Sequence, residues 1–174
     1  MHEETIESKR IYKGRMLGMR DDTVKFSTGK VSKREICEHP GAVAIVAVTK
    51  KKEIILIKQY RHAAKKVMLE IPAGLIDKGE DLQTAAKREL EEETGYVAKK
   101  VTPVFEAFAS PGYSMEVLSF YLTTDLEKKK QRCEEDENIE VVPLKIKDAW
   151  QLVEASEVDD NKTIIGIMIA KWMI

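Results

Sequence analysis

The 174-residue chain reads as an α+β sandwich. Strand-like and helix-like stretches both occur, but they do not alternate regularly as a doubly wound sheet requires. The stretch GAVAIVAVT (41–49) is apolar on both faces, the mark of a strand buried at the centre of a sheet. A helix starts at Leu82 behind Asp81, a good N-cap, and Gly95 fits its C′ position.

In chain order, residues 5–40 read as a run of short strands. Alternation on both sides of Ser27-Thr28-Gly29-Lys30 is a hairpin signal. EIILIKQYR (53–61) is expected to pair with 41–49 across a tight KKKE turn, and VMLEIPAG (67–74) reads as a further strand that Pro72 ends. Asp77–Glu80 is a polar loop before the helix. Strands are expected around 97–108 and 115–123, with a charged loop over 125–138. A short strand over 139–143 leads to an amphipathic helix near 147–157, and a last helix covers 162–174. The organisation is an N-terminal β annex over 1–40 and a main domain over 41–174. Two or three strands alone are marginal, so the annex is expected to bury its apolar face against a second subunit.

Hydrophobic residues make up 43% of the chain, enough for a full core. Lys+Arg 29 nearly cancels Asp+Glu 30, which gives no electrostatic case for nucleic acid or for a membrane surface. The start, MHEETIESKR, is acidic and unlike a signal peptide. Cys37 and Cys133 lie outside any CxxC, so the expectation is a cytoplasmic protein with reduced thiols. His2, His39 and His62 are scattered and form no metal or nucleophile pattern.

The chemistry sits in KRELEEETGY (87–96). With Leu82 at zero on the helical wheel, Ala85, Ala86 and Leu90 make the buried stripe, yet Glu89 falls at about −20° and Glu93 at about 20°, inside it. Unpaired carboxylates there cost several kcal/mol. No basic residue shares their line, so the two are expected to repel each other. Either this half of the helix emerges into water, or the pair holds a hard cation such as Mg²⁺ or Mn²⁺. Glu92 could join through water. Arg88 can pair with Glu92 one turn on.

From Gly74 the chain reads GLIDKGEDLQTAAKRELEEETGY: Gly, five residues, Glu, seven residues, then Arg-Glu-apolar-x-Glu-Glu-x-Gly. This resembles the Nudix box at Gly74, Glu80, Arg88, Glu89, Leu90, Glu92, Glu93 and Gly95. Tyr96 stands where an aliphatic residue is usual. The resemblance implies a Nudix-type α/β/α sandwich with a mixed central sheet. It also implies hydrolysis of a nucleoside diphosphate linked to another moiety, with two or more Mg²⁺ ions, Mn²⁺ being the alternative. It makes Glu89 and Glu93 direct metal ligands, Glu92 a water-mediated one and the Ala73 carbonyl a further one. Glu80 and Arg88 brace the loop against the helix.

Pro111 lies sixteen residues beyond Gly95 in SPGYSMEVLSFY. Together with KQYRHA and LEIPAG, this resembles the ADP-ribose pyrophosphatase branch, which cleaves ADP-ribose to AMP and ribose 5-phosphate. Other nucleotide sugars, dinucleotides and modified nucleoside triphosphates are alternative substrates, and a non-catalytic ADP-ribose sensor is an alternative of another class. The branch's acidic loop supplies a catalytic base, here Glu137 or, second, Glu135; such a loop can equally be merely solvated. Arg61 reads as a phosphate or ribose contact or as a surface charge. Glu116 reads as a ribose contact or a charge at a strand start, with Pro111 and Gly112 in the substrate-side turn. Tyr60 and Tyr113 are adenine platforms or packing. The branch also implies a homodimer with N-terminal strands contributed to the partner.

Overall fold

The computed structural model describes residues 2–131 and 138–174. They form an α+β fold with twelve strands and three helices, grouped in two compact units.

The first unit comprises residues 2–42 and 106–118. Strands β1 (Glu3–Lys13), β2 (Gly18–Phe26) and β3 (Val31–Glu38) form an antiparallel meander in that order. The β2–β3 hairpin turns where the sequence places it. Phe26 N donates to Lys30 O and Gly29 N to Phe26 O, both at 2.9 Å, and Gly29 takes φ 83°. The strands are longer than expected: the backbone ladders run on past the apolar positions, and charged side chains pair across the sheet, Arg34 with Glu3 (2.7 Å) and Lys33 with Asp21 (3.3 Å). Along β3, Cys37 N donates to Tyr113 O (2.7 Å) and Met115 N donates to Cys37 O (3.0 Å).

The second unit comprises residues 43–105 and 119–174. It holds β7 (Ala73–Leu75) and most of β4 (Ala42–Ala47), β9 (Thr102–Phe108) and β10 (Val117–Thr123), which assemble in the order β7-β4-β10-β9. Strands β5 (Glu53–Arg61), β6 (Lys66–Glu70) and β12 (Ile139–Lys145) form an antiparallel sheet in the order β12-β5-β6. Successive side chains of β4 point to opposite faces. Val43, Ile45 and Ala47 join Ala85, Ala86 and Leu90 of helix α1 (Leu82–Thr94) in one core. Val46 faces the other way, toward helix α3 (Asn161–Met173). A Cβ added to Gly166 of α3 would lie 2.9 Å from Ile71 and 3.5 Å from Val46, so glycine permits this close seating. Helix α2 (Ile146–Glu154) packs on α3. This is why β4 is apolar on both sides: a helix covers each face.

The structure corrects four expectations. Strands β4 and β5 turn back on each other through Thr49–Glu53 but share only one bridge, Val48–Ile54. Each already has both edges filled, β4 by β7 and β10, β5 by β12 and β6. Pro72 does not end the strand region but divides it. Lacking an N–H, it cannot extend the β5–β6 ladder, while its carbonyl accepts from Ile45 N (2.8 Å) and starts β7 beside β4. The stretch expected as one strand over 97–108 is two, β8 (Tyr96–Ala98) and β9. Within the expected charged loop, Leu126–Lys128 forms β11, paired antiparallel to β8. Leu126 packs on the core there.

Candidate active site

Helix α1 is framed by local chemistry. The Asp81 carboxylate accepts from Gln83 N (3.0 Å) and Thr84 N (3.1 Å). Gly95 closes the helix at φ 71°, with its N–H on Glu91 O. A Cβ on Gly95 would lie 2.7 Å from both Gln131 N and Lys129 O, so conformation and packing both demand glycine.

Arg88 organises the carboxylates. Its Nε and Nη2 donate to Glu80 (2.9 and 2.8 Å), and Nη2 also donates to Leu75 O (2.9 Å). Nη1 donates to Glu89 (2.7 Å) and Glu92 (3.1 Å). The bond to Glu92 is the expected one. The bond to Glu89 corrects the wheel, which placed no cation on that line: a long side chain from the adjacent position curls across it. These bonds, led by the one to Glu80, hold the guanidinium charged well above its ordinary range. Reciprocally, Arg88 holds the Glu80 carboxyl below its ordinary value. Glu80 also accepts from Asp77 N (3.2 Å), which ties off the loop before the helix.

Glu93 is buried, 3% exposed, and its Oε2 accepts from Ala73 N (3.0 Å), joining α1 to the first residue of β7. Beside it, a Cβ on Gly74 would lie 2.1–2.3 Å from the Glu89 carboxylate. That carboxylate fills the space a side chain at position 74 would need. Neither glutamate therefore emerges into water as a solvated charge.

The donor set fits a hard cation. Glu80, Glu89 and Glu92 surround one guanidinium, leaving an excess of carboxylate oxygen, and Glu93 lies against the Ala73 backbone. Among the described residues, no three acidic, His or Cys side chains form a ready-made cage. Mg²⁺ needs none, since it keeps several waters and shares substrate phosphates.

Arg61 lies in the same unit. Its guanidinium meets the buried Glu70 through Nε (2.7 Å) and Nη2 (2.8 Å). The bond to Glu70 raises its proton affinity, and the charges of Glu93 and Asp160 add to this. Burial pulls the Glu70 carboxyl upward, but Arg61 and Lys162 outweigh it and hold it low. Sequence reading missed Glu70 and Lys162. The available signal was an acid in VMLEIPAG just before a residue that proves fully buried, Ile71.

Pro111, Gly112, Tyr113 and Glu116 belong to the first unit. Pro111 and Gly112 sit in a turn closed by Ser114 N on Ser110 O (2.9 Å), and nothing lies within 4 Å of a Cβ on Gly112. The Glu116 carboxylate stands 3.9 Å from His39 Nε2. Tyr60 and Tyr113 are exposed. Glu135 and Glu137 lie outside the described residues.

The NUDIX domain profile matches residues 38–164, most of the chain. The chain belongs to the Nudix family. The box residues Gly74, Glu80, Arg88, Glu89, Glu92, Glu93 and Gly95 are thus the family's signature gathered around one helix. This Nudix chain is 43% identical over 169 residues to the ADP-ribose pyrophosphatase of Bacillus subtilis (strain 168), covering 96% of this chain and 91% of that one. It is 38% identical over 167 residues to the methanol dehydrogenase activator of Bacillus methanolicus, covering 95% and 90%. The crystal structure of an ADP compounds hydrolase superposes with a TM-score of 0.86, covering 98% of this chain and 93% of that one. At 23% identity, that likeness shows the Nudix fold.

Gly74→Ala tests the box geometry. The added methyl meets a flexible carboxylate rather than backbone, so the protein is expected to fold while Glu89 is displaced. Mn²⁺ affinity, read from the free-ion electron paramagnetic resonance signal, should fall about 10–100-fold, the usual cost of disturbing support around a metal site. Unchanged affinity in a folded variant removes Glu89 from the cation site.

Proposed function

We propose that this Nudix hydrolase cleaves the pyrophosphate bond of ADP-ribose to AMP and ribose 5-phosphate. One P–O–P linkage breaks, the water oxygen joins one phosphorus, and the water's protons are released. The observation that carries the reading is the Arg88-centred carboxylate cluster, in a chain 43% identical to an ADP-ribose pyrophosphatase along nearly its whole length.

Glu89 and Glu93 hold Mg²⁺ or Mn²⁺ directly, two or more ions in all, with Glu92 bound through water and the Ala73 carbonyl as a further ligand. When bound, such ions offset pyrophosphate charge and acidify water. The chain's own part is placement. Arg88 keeps Glu89 and Glu92 from scattering under mutual repulsion, the Ala73 N–H holds Glu93, and Glu80 anchors Arg88 to the loop. Arg61 supplies positive charge for a phosphate or ribose. Glu116, Pro111 and Gly112 serve the substrate side, and Tyr60 or Tyr113 the adenine. A cytoplasmic location suits the free thiol of Cys37. No helix among the described residues is long and apolar enough to cross a membrane.

A panel of ADP-ribose, other nucleotide sugars, dinucleotides and modified nucleoside triphosphates with Mg²⁺ tests the reading. Expected are AMP and ribose 5-phosphate from ADP-ribose at the highest kcat/KM, and near-total loss of turnover in Glu93→Gln. Release of pyrophosphate from a triphosphate as the preferred reaction would replace the substrate. Tight ADP-ribose binding without turnover would make the protein a sensor.

The base is proposed to be Glu137, with Glu135 second. Glu137→Gln should lower kcat about 10²–10⁴-fold with metal affinity kept. A loss that appears instead in Glu135→Gln moves the role there, and only few-fold effects in both leave the acidic loop out of the chemistry.

We also propose a homodimer built on the N-terminal strands. All eleven residues of β1 are exposed, and β1 is an edge strand carrying Ile6, Ile11 and Tyr12. A long uncovered edge invites pairing, and a second subunit covers it. Light scattering at micromolar concentration should give twice the chain mass, 19.8 kDa for one copy; a monomer contradicts the proposal.

A further inference from the structure

We infer that Glu70 is a positioning residue for substrate binding: it fixes the Arg61 guanidinium so that Nη1 is presented to the diphosphate. The inference rests on the functional reading above.

Glu70 is 1% exposed at the end of β6, between Leu69 and the fully buried Ile71. A carboxylate there is costly unless its charge and lone pairs are met. Two cations meet it from two elements. Lys162, in the first turn of α3, donates to Oε2 at 2.5 Å and to Asp160 at 2.9 Å. Asp160 also accepts from Thr163 N (3.0 Å), and the buried Thr163 hydroxyl accepts from Ile71 N (2.8 Å). Glu70 is thus fixed by its own strand and by α3, and Lys162 alone could balance its charge.

Arg61 is the second cation, and its geometry differs. Nε and Nη2 make a two-pronged contact with the two Glu70 oxygens at 2.7 and 2.8 Å. Nη1 makes no hydrogen bond to any described residue, and the side chain is 40% exposed. A planar fork held on one edge has its remaining donors set in direction before any ligand arrives. Glu70, which holds this guanidinium, lies three residues before Ala73, whose N–H bonds Glu93, so Arg61 belongs to the neighbourhood of the box carboxylates, and the charge of Glu93 bears on it. A preset arginine donor beside such carboxylates matches a diphosphate, whose oxygens accept from the arginine on one side and bind cations on the other. Lysine could not replace Arg61, since a single ammonium cannot be clamped by Glu70 and keep a directed donor.

The test is steady-state kinetics on the full-length chain with Mg²⁺ and ADP-ribose, alongside thermal melts. Glu70→Gln should raise KM about ten-fold while kcat stays within about three-fold, the pattern of lost uniform binding. Arg61→Ala should raise KM at least as much. The double variant Glu70→Gln/Arg61→Ala should match Arg61→Ala alone, because Glu70 acts only through Arg61. A role confined to stability predicts a lower Tm with unchanged KM, and that result, or additive KM effects, overturns the inference. If Glu70→Gln does not fold because Lys162 is left uncompensated, Glu70→Gln/Lys162→Met removes both charges. It should show the same KM rise, and an unchanged KM there overturns the inference too. Failure of the wild type to turn over any nucleoside diphosphate derivative overturns the functional reading and this inference together. Wild-type turnover with unaltered KM in the variants overturns this inference alone.

Discussion

The site depends on one guanidinium. Arg88 spends its five N–H donors on Glu80, Glu89, Glu92 and the Leu75 carbonyl. Without that counter-charge, Glu89 and Glu92 repel each other and their neighbour Glu93 in a half-buried setting of lowered dielectric. With it Glu89 and Glu92 are gathered with Glu80 but not neutralised, and the residual negative charge suits a divalent cation. The same side chain also ties the loop before α1 to the middle of α1. Arginine suits this role and lysine does not, because only the planar fork can engage several acceptors in different directions at once.

Backbone approach is the second constraint. The Glu89 carboxylate occupies the volume of a missing side chain at Gly74, and the chain after α1 passes across the face of Gly95. Glu93 then bonds to the backbone of Ala73. The carboxylate cluster is therefore made as much by what β7 lacks as by what α1 carries. Glycine at 74 is required by a side chain fifteen positions away in sequence, and glycine at 95 by both its left-handed backbone and the segment packed on it.

Two charge systems lie in the second unit. One is the Arg88 cluster, partly open and short of positive charge. The other is Glu70 with Arg61 and Lys162, in which two cations flank one buried carboxylate. The first suits cations and the second presents a cation. A nucleoside diphosphate needs both, since its charge must be offset from more than one side. Pro72 gives the chain the means to serve both: it ends the ladder that carries Glu70 and passes the chain to β7, where Ala73 and Gly74 meet α1.

The sequence by itself determined what local physics decides. Asp81 and Gly95 bounded α1, the double-sided apolar run marked β4 as central, and the turn at Ser27–Lys30 set the β2–β3 hairpin. The spacing of Gly74, Glu80, Arg88, Glu89, Glu92 and Glu93 marked the Nudix family, and helical periodicity alone put two carboxylates where apolar residues belong. Tertiary structure decided the rest. That β4 and β5 join different sheets depends on which strands fill their edges, and those partners are remote in sequence. That Arg88 reaches Glu89 depends on the path of a long side chain, which a wheel of Cβ directions does not describe. That Glu70 is buried, clamped by Arg61 from β5 and Lys162 from α3, depends on three segments meeting. The pairing of charges across elements is set by packing, and no single stretch of the chain records it.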